Sequence, residues 1–314
     1  MKKRVALALL LFLSLTLPFS LSRAEDRKEA RDPLTRLSIL SSRIVVADAG
    51  INFVQAGKGP PVLFLHGLGG SWKDWAPTLP PFASKHQVVA PDFPGFGDSE
   101  APDVNYSIEW LTEVVEKFIE AKSLRGAVVV GHSMGGIVAL NLVARRNARV
   151  ARLAVVDPVA TGDKAEFMSH VMTRKFFAPD TEWESLESAV RERFRSMVEN
   201  FVKNRKPGTA REFFESVPKN PFNGKPLLPM TPAVQLTASL IDFDIRPKLA
   251  SVDCPTLILW GEKDPIAPSA DAYLLAKGIR NSRVVVFGDT GHSPMIEKPD
   301  KFNHELGRFI QRAR

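Results

Sequence analysis

The chain has 314 residues, of which 44% are hydrophobic and 25% charged, a globular balance that excludes disorder over most of its length and suits one α/β domain carrying an insertion. Its net charge of +7 falls to +3 once residues 1–24 are set aside, leaving 38 basic against 35 acidic residues, too small a surplus for a nucleic-acid footprint. The single cysteine, Cys254, excludes an internal disulfide or a cysteine metal set and reads as a small buried hydrophobe.

In chain order, "MKKR" supplies a basic start and "VALALLLFLSLTL" an apolar run of 13 residues, followed by small residues at Ser22 and Ala24. As a helix this run reaches about 20 Å, short of a bilayer core of about 30 Å. The pattern predicts an export signal over 1–24, with a periplasmic or secreted protein beginning at Glu25. The alternative is an uncleaved N-terminal anchor, and membrane contact is expected only through that segment. Residues 25–42 are an N-terminal extension.

"RIVVADAGINFVQAG" alternates apolar and polar residues around Gly50 and predicts a hairpin. "PVLFLHG", "HQVVAPD", "GAVVVGH", "RLAVVDP", "PTLILWG" and "SRVVVFG" are short continuous apolar runs, the pattern of strands buried on both faces. Amphipathic stretches separate them: Trp72 to Ser84, Ser107 to Ala121, Met134 to Arg146, Pro268 to Gly278 and Pro299 to Ala313. Strand alternating with helix predicts a mostly parallel sheet with helices on both faces. The alternation fails between "VVDPV" and "PTLILWG", where helical patterns such as "ESLESAVRERFRSMVENFVK" and a run of prolines replace strands. Residues 159–247 are therefore expected to form a helical cap inserted between core segments 43–158 and 248–314.

One stretch carries the chemistry. In "AVVVGHSMGG" a buried strand runs into Ser133, fenced by Gly131 and Gly135, and "GGIVALNLVARR" continues at helical spacing. A tight strand-to-helix turn of this kind presents the serine hydroxyl above the carboxyl edge of the sheet. It tolerates no bulk two residues to either side.

The hydroxyl needs a base, and the base an orienting acid. Of the six histidines, His86 falls in a polar loop, His170 in the cap and His304 in the last helix. His132 precedes the serine and should point away from it, and His66 should shape the "HGLGG" loop. His292, directly after the last strand, remains as the base. Asp264 in "GEKDPIAP" is the expected acid, and Asp157 at the end of "RLAVVDP" is its rival. No metal and no cofactor is expected.

The motifs "HGLGG", "DFPGFGDS", "GHSMGG", "GEKDPIAP" and "TGHSPMIEKP" occur in the order found in the α/β-hydrolase superfamily, which the sequence resembles from Arg43 to Ala313 outside the cap. The resemblance implies an α/β-hydrolase fold and a serine triad of Ser133, Asp264 and His292. It also implies an oxyanion hole made by the backbone N–H groups of Leu68 and Met134, with Gly67, Gly69 and Gly70 letting the loop approach substrate. Members that open epoxides or remove halide carry aspartate at the elbow, which Ser133 argues against. The expected function is cleavage of a small-molecule carboxylic ester with an apolar acyl group, through an acyl-enzyme. Carbon–carbon bond hydrolysis, lactone hydrolysis and cofactor-free perhydrolysis on the same triad are alternatives, as is a non-catalytic ligand-binding protein on this scaffold. Gly67 and Trp72 are expected near substrate, although Trp72 reads equally as an anchor of the first helix. Phe167, Met168, Met172, Phe176, Phe177, Phe213 and Phe214 could roof an acyl pocket or dock the cap.

Overall fold

The computed structural model describes residues 28–32, 35–145, 149–159, 200, 209–216 and 230–311. Their strands form one sheet in the order β1-β2-β3-β5-β4-β6-β7-β8-β9. The strands are β1 Lys28–Arg31, β2 Ser38–Val46, β3 Ala49–Ala56, β4 Pro61–Leu65, β5 Gln87–Pro91, β6 Ala127–His132, β7 Val150–Val156, β8 Thr256–Gly261 and β9 Ser282–Phe287. Pairing is antiparallel from β1 through β3 to β5 and parallel from β5 to β9. The strands β6 and β8 are buried at every residue, which is why their sequences show unbroken apolar runs rather than alternation.

Two expectations shift at the N-terminal side. The sheet begins at Lys28 rather than 43, because "KEAR" pairs through its main chain with Ser38 to Ser41. The hairpin turns at Ala47 and Asp48, with φ of 49° and 59°, the left-handed pair that joins twisted antiparallel strands. Gly50 instead lies in β3 opposite Val45. Its missing side chain is filled by Glu100, whose Oε2 accepts the Gly50 N–H at 3.1 Å.

The described helices are α1 Leu79–Ala83, α2 Ile108–Ala121, α3 Met134–Ala144, α4 Ala210–Glu215, α5 Pro232–Asp242, α6 Ala270–Gly278, α7 Pro294–Glu297 and α8 Pro299–Gln311. The single helix expected over 72–84 is split into a 3-10 turn, Trp72–Trp75, and α1. Pro77 and the Pro80-Pro81 pair account for the break, since proline lacks the N–H a continuous helix needs. Ser107 caps α2 by accepting from the Trp110 N–H. One face of the sheet packs against α2, α3 and α5, and the other against Trp72, Trp75, α1 and α8. Each fully buried leucine or phenylalanine contributes about 1.5–3 kcal/mol over its exposed state. Helix α3 is buried from Met134 to Val143, so it lies between the sheet and a second layer rather than facing solvent.

Of the insertion, α4, α5 and the 3-10 turn Arg246–Ser251 are described. Helix α5 docks on the start of α2: Ser239 Oγ accepts the Ile108 N–H at 2.9 Å and Gln235 Oε1 accepts the Tyr106 N–H at 3.2 Å. Phe214 is buried and Phe213 packs beside it. Residues 1–24, the helical stretch 184–203 apart from residue 200, His170 and Phe167, Met168, Met172, Phe176 and Phe177 lie outside the described residues. Among the described residues no helix is long and apolar enough to cross a membrane.

Candidate active site

The end of β6 and the start of α3 meet at Ser133, whose φ is 50° and ψ −118°. A non-glycine residue there stores about 1–3 kcal/mol of strain, and the surroundings fix it. The Ser133 N–H donates to Val156 O at 2.8 Å. A Cβ at Gly131 would sit 2.3 Å from Gly135 O, and one at Gly135 would sit 2.5 Å from His66 O. Both glycines are thus sterically required, as the spacing predicts.

His292 follows β9, with its Nε2 2.9 Å from Ser133 Oγ and its Nδ1 2.7 Å from Asp264 Oδ2. Asp264 has a fully buried side chain, while His292 keeps 14% of its side chain exposed. Asp264 Oδ1 accepts the Ile266 and Ala267 N–H groups at 2.7 and 3.1 Å. A carboxylate so held can only accept, so the hydrogen lies on Nδ1 and the Nε2 lone pair faces the serine O–H. This is the arrangement in which a serine hydroxyl can be deprotonated as it attacks an electrophile. The three residues come from loops after three strands, brought together by the parallel order β6-β7-β8-β9.

Asp157 directly follows β7 with φ 46°, and its Oδ1 accepts the Gly261 N–H at 2.7 Å. The imidazole bond goes to Asp264, not to this rival. Burial, and then the Asp264 charge, hold the Asp157 carboxyl well above the ordinary carboxylate range. Asp157, Asp264 and His292 form a cluster whose polar atoms lie within 4.8 Å of one another. Within it, Asp264 bonds to His292 and to the Ile266 and Ala267 N–H groups, and His292 Nε2 faces Ser133 Oγ.

The "HGLGG" loop presses against the elbow: a Cβ at Gly67 would lie 3.2 Å from Ser133 Cβ and 3.0 Å from His132 Nδ1. His66 shapes this loop as expected. Its Nε2 accepts the Phe93 N–H at 2.8 Å and its Nδ1 donates to Gly67 O at 2.7 Å, so it is neutral, and burial lowers its pKa. Leu68 follows Gly67 directly, and Met134 opens α3 beside Ser133. Trp72 is buried in the cluster with Trp75 and Phe64, and its backbone N–H donates to Asp92 Oδ1 at 2.7 Å.

His132 does not point away from the site. Its ring lies 4.9 Å from that of His292, and its Nε2 donates to His292 O at 2.7 Å. Glu297 on α7 grips the same loop, accepting the N–H groups of Gly291 and Ser293 at 2.8 and 3.1 Å. The main chain is thus pinned on both sides of the imidazole. His86 is a half-buried loop residue bonded to Pro60 O, and His304 is exposed on α8.

Burial, reinforced by His292, pushes the His132 pKa down to about 3 from the ordinary 6.5. The unfolded chain therefore takes up this proton first as pH falls. Stability is untouched above 6.5 and lost progressively between 6.5 and about 3, with a slope approaching about 1.4 kcal/mol per pH unit from this one group. Urea midpoints measured across that window should fall less steeply in His132→Phe than in the wild type. Parallel curves would show that His132 is not buried neutral.

Residues 60–299 match a family model described as alpha/beta hydrolase fold. Three relatives illustrate its spread. The chain is 28% identical over 261 residues to a dihydrolipoyllysine-residue acetyltransferase component of an acetoin cleaving system from Cupriavidus necator, covering 82% of this chain and 65% of the relative, less than two thirds of its length. It is 26% identical over 274 residues to a 2-hydroxy-6-oxo-6-phenylhexa-2,4-dienoate hydrolase from Comamonas testosteroni, covering 85% and 93%. It is 28% identical over 277 residues to a pimeloyl-[acyl-carrier protein] methyl ester esterase from Aeromonas hydrophila, covering 83% and 99%. Among solved structures, a meta-cleavage product hydrolase superposes with a TM-score of 0.63 at 26% identity, covering 86% of this chain and 98% of that one.

Proposed function

Because this chain belongs to the α/β hydrolase family, we propose that it is a serine hydrolase of carboxylic esters. The observation that carries this reading is the unbroken line from Asp264 Oδ2 through His292 to Ser133 Oγ, with both contacts under 3 Å. Ser133 Oγ attacks the ester carbonyl as its proton passes to His292 Nε2. Asp264 holds the Nδ1–H and stabilises the imidazolium that forms. The N–H groups of Leu68 and Met134 receive the developing oxyanion; losing one such donor typically costs about 3–4 kcal/mol. The imidazolium then protonates the departing alcohol, and a water activated by His292 releases the acid from the acyl-serine.

A second reading rests on the same triad: hydrolysis of a carbon–carbon bond in a dienoate ketone, the substrate class in the Comamonas relative's name. A panel of p-nitrophenyl esters of increasing acyl length, run beside such a dienoate, separates the two. The ester reading expects saturating turnover on at least one acyl length and little on the dienoate; the reverse ranking overturns it.

Two further elements belong to this proposal. The insertion 159–247 serves as a cap that sets acyl preference. The N-terminal segment directs export, which places the enzyme where it meets exogenous esters. N-terminal sequencing of the native protein should return Glu25; Met1 or Lys2 would instead support the anchor.

A further inference from the structure

The line from Asp264 through His292 to Ser133 leaves one buried group without a role. Asp157 lies wholly inside the protein, and its Oδ2 meets no donor. Burial and the nearby carboxylates of Asp264 and Glu297 disfavour a charge there. One of its carboxylate oxygens lies within 4.8 Å of one of Asp264. Two buried carboxylates that close do not both ionise.

Counting donors decides which of them keeps the proton. Asp264 accepts three N–H groups, those of Ile266, Ala267 and His292. Asp157 accepts one, from Gly261. Hydrogen bonds to the charged form favour ionisation, so the charge resides on Asp264 and the hydrogen on Asp157.

We propose that Asp157 is a positioning residue: a neutral carboxylic acid that donates its O–H to Asp264 and holds that carboxylate in line with His292 Nδ1. Both ends of the device are set by the sheet. Residue 157 follows β7, and its Oδ1 is tied to Gly261 at the end of the neighbouring β8, only three residues before Asp264. The Asp157 side chain thus links the end of β8 to the loop that carries Asp264. The proposal rests on the triad reading for its consequence in catalysis, but not for the location of the hydrogen.

The test has two parts. Infrared difference spectra of wild type minus Asp157→Asn, at neutral pH, should show the carbonyl band of one protonated carboxylic acid; carboxylate bands in its place overturn the proposal. This measurement needs no turnover, so a wild type inactive on every ester would sink the ester reading and leave the proton assignment standing. The second part is kinetic. Asparagine keeps the acceptor for Gly261 and offers an N–H to Asp264, so Asp157→Asn should retain kcat within about threefold. Asp157→Ala should lose roughly tenfold to a hundredfold in kcat, the scale of a misaligned catalytic group, with KM little changed. An alanine variant as active as the wild type, or an asparagine variant that collapses, overturns the positioning role. If the alanine variant does not fold, the spectrum and the asparagine variant decide alone.

Discussion

Replacing Ser133 with alanine should lower kcat/KM on the best p-nitrophenyl ester by about a millionfold, leaving only the residual rate that binding and oxyanion donors supply without a nucleophile. The loss is expected to be this large because His292 Nε2 faces Ser133 Oγ at 2.9 Å, and no base can substitute for the atom that forms the bond. Stability should barely change. The side chain is small, the strained backbone at φ 50° is imposed by Gly131, Gly135 and the Val156 carbonyl, and alanine suffers the same strain as serine. Matched melting curves together with turnover reduced to background are the expected pair. Turnover above a few per cent of wild type in a folded variant would remove Ser133 from the mechanism.

Asp264→Asn should cost about 10,000-fold in kcat, with much less effect on KM. Two physical causes act together. The amide can present its N–H₂ to the imidazole, favouring the tautomer whose hydrogen points at Ser133 rather than away from it. The amide also carries no charge to stabilise the imidazolium formed in the transition state. The same substitution at the neighbouring carboxyl, Asp157→Asn, should leave kcat within about threefold, because Asp157 makes no bond to His292 and acts as a neutral acid. The contrast between two asparagine variants, compared for kcat and KM on one ester, separates acid from support. Equal losses, or a reversal of the order, would require the triad to be redrawn through Asp157.

The parallel core and its elbow were legible because their signals are local. A strand buried on both faces must be apolar at every position, as "AVVVG" and "TLILW" are, and a strained serine must be flanked by glycines, whose spacing is visible in the chain itself. Asp264 could be named for a similar reason, since it follows its strand by a few residues; its Oδ1 accepts the N–H groups of Ile266 and Ala267 just downstream. What escaped depends on contacts between distant segments. "KEAR" has no apolar period, so β1 is specified only by the main-chain edge of β2 that receives it. His132, directly before the serine, is expected to point away from it, yet its ring reaches a carbonyl 160 residues later. Glu297 has no motif of its own, and its grip on Gly291 and Ser293 exists only because the loop after β9 folds back onto α7. The pairing of Asp157 with Asp264 follows from β7 lying beside β8, an adjacency that no short stretch of sequence announces.

The central claim is that Ser133 is an activated nucleophile, and active-site titration with a fluorophosphonate reads that property directly. The reagent phosphonylates a serine hydroxyl only where a base removes its proton and oxyanion donors stabilise the adduct. One equivalent should bind per chain, with the mass increment mapping to the peptide that contains Ser133, and labelling should vanish in Ser133→Ala. No labelling of the folded wild type, or labelling that maps to another residue and persists in the alanine variant, would contradict the account.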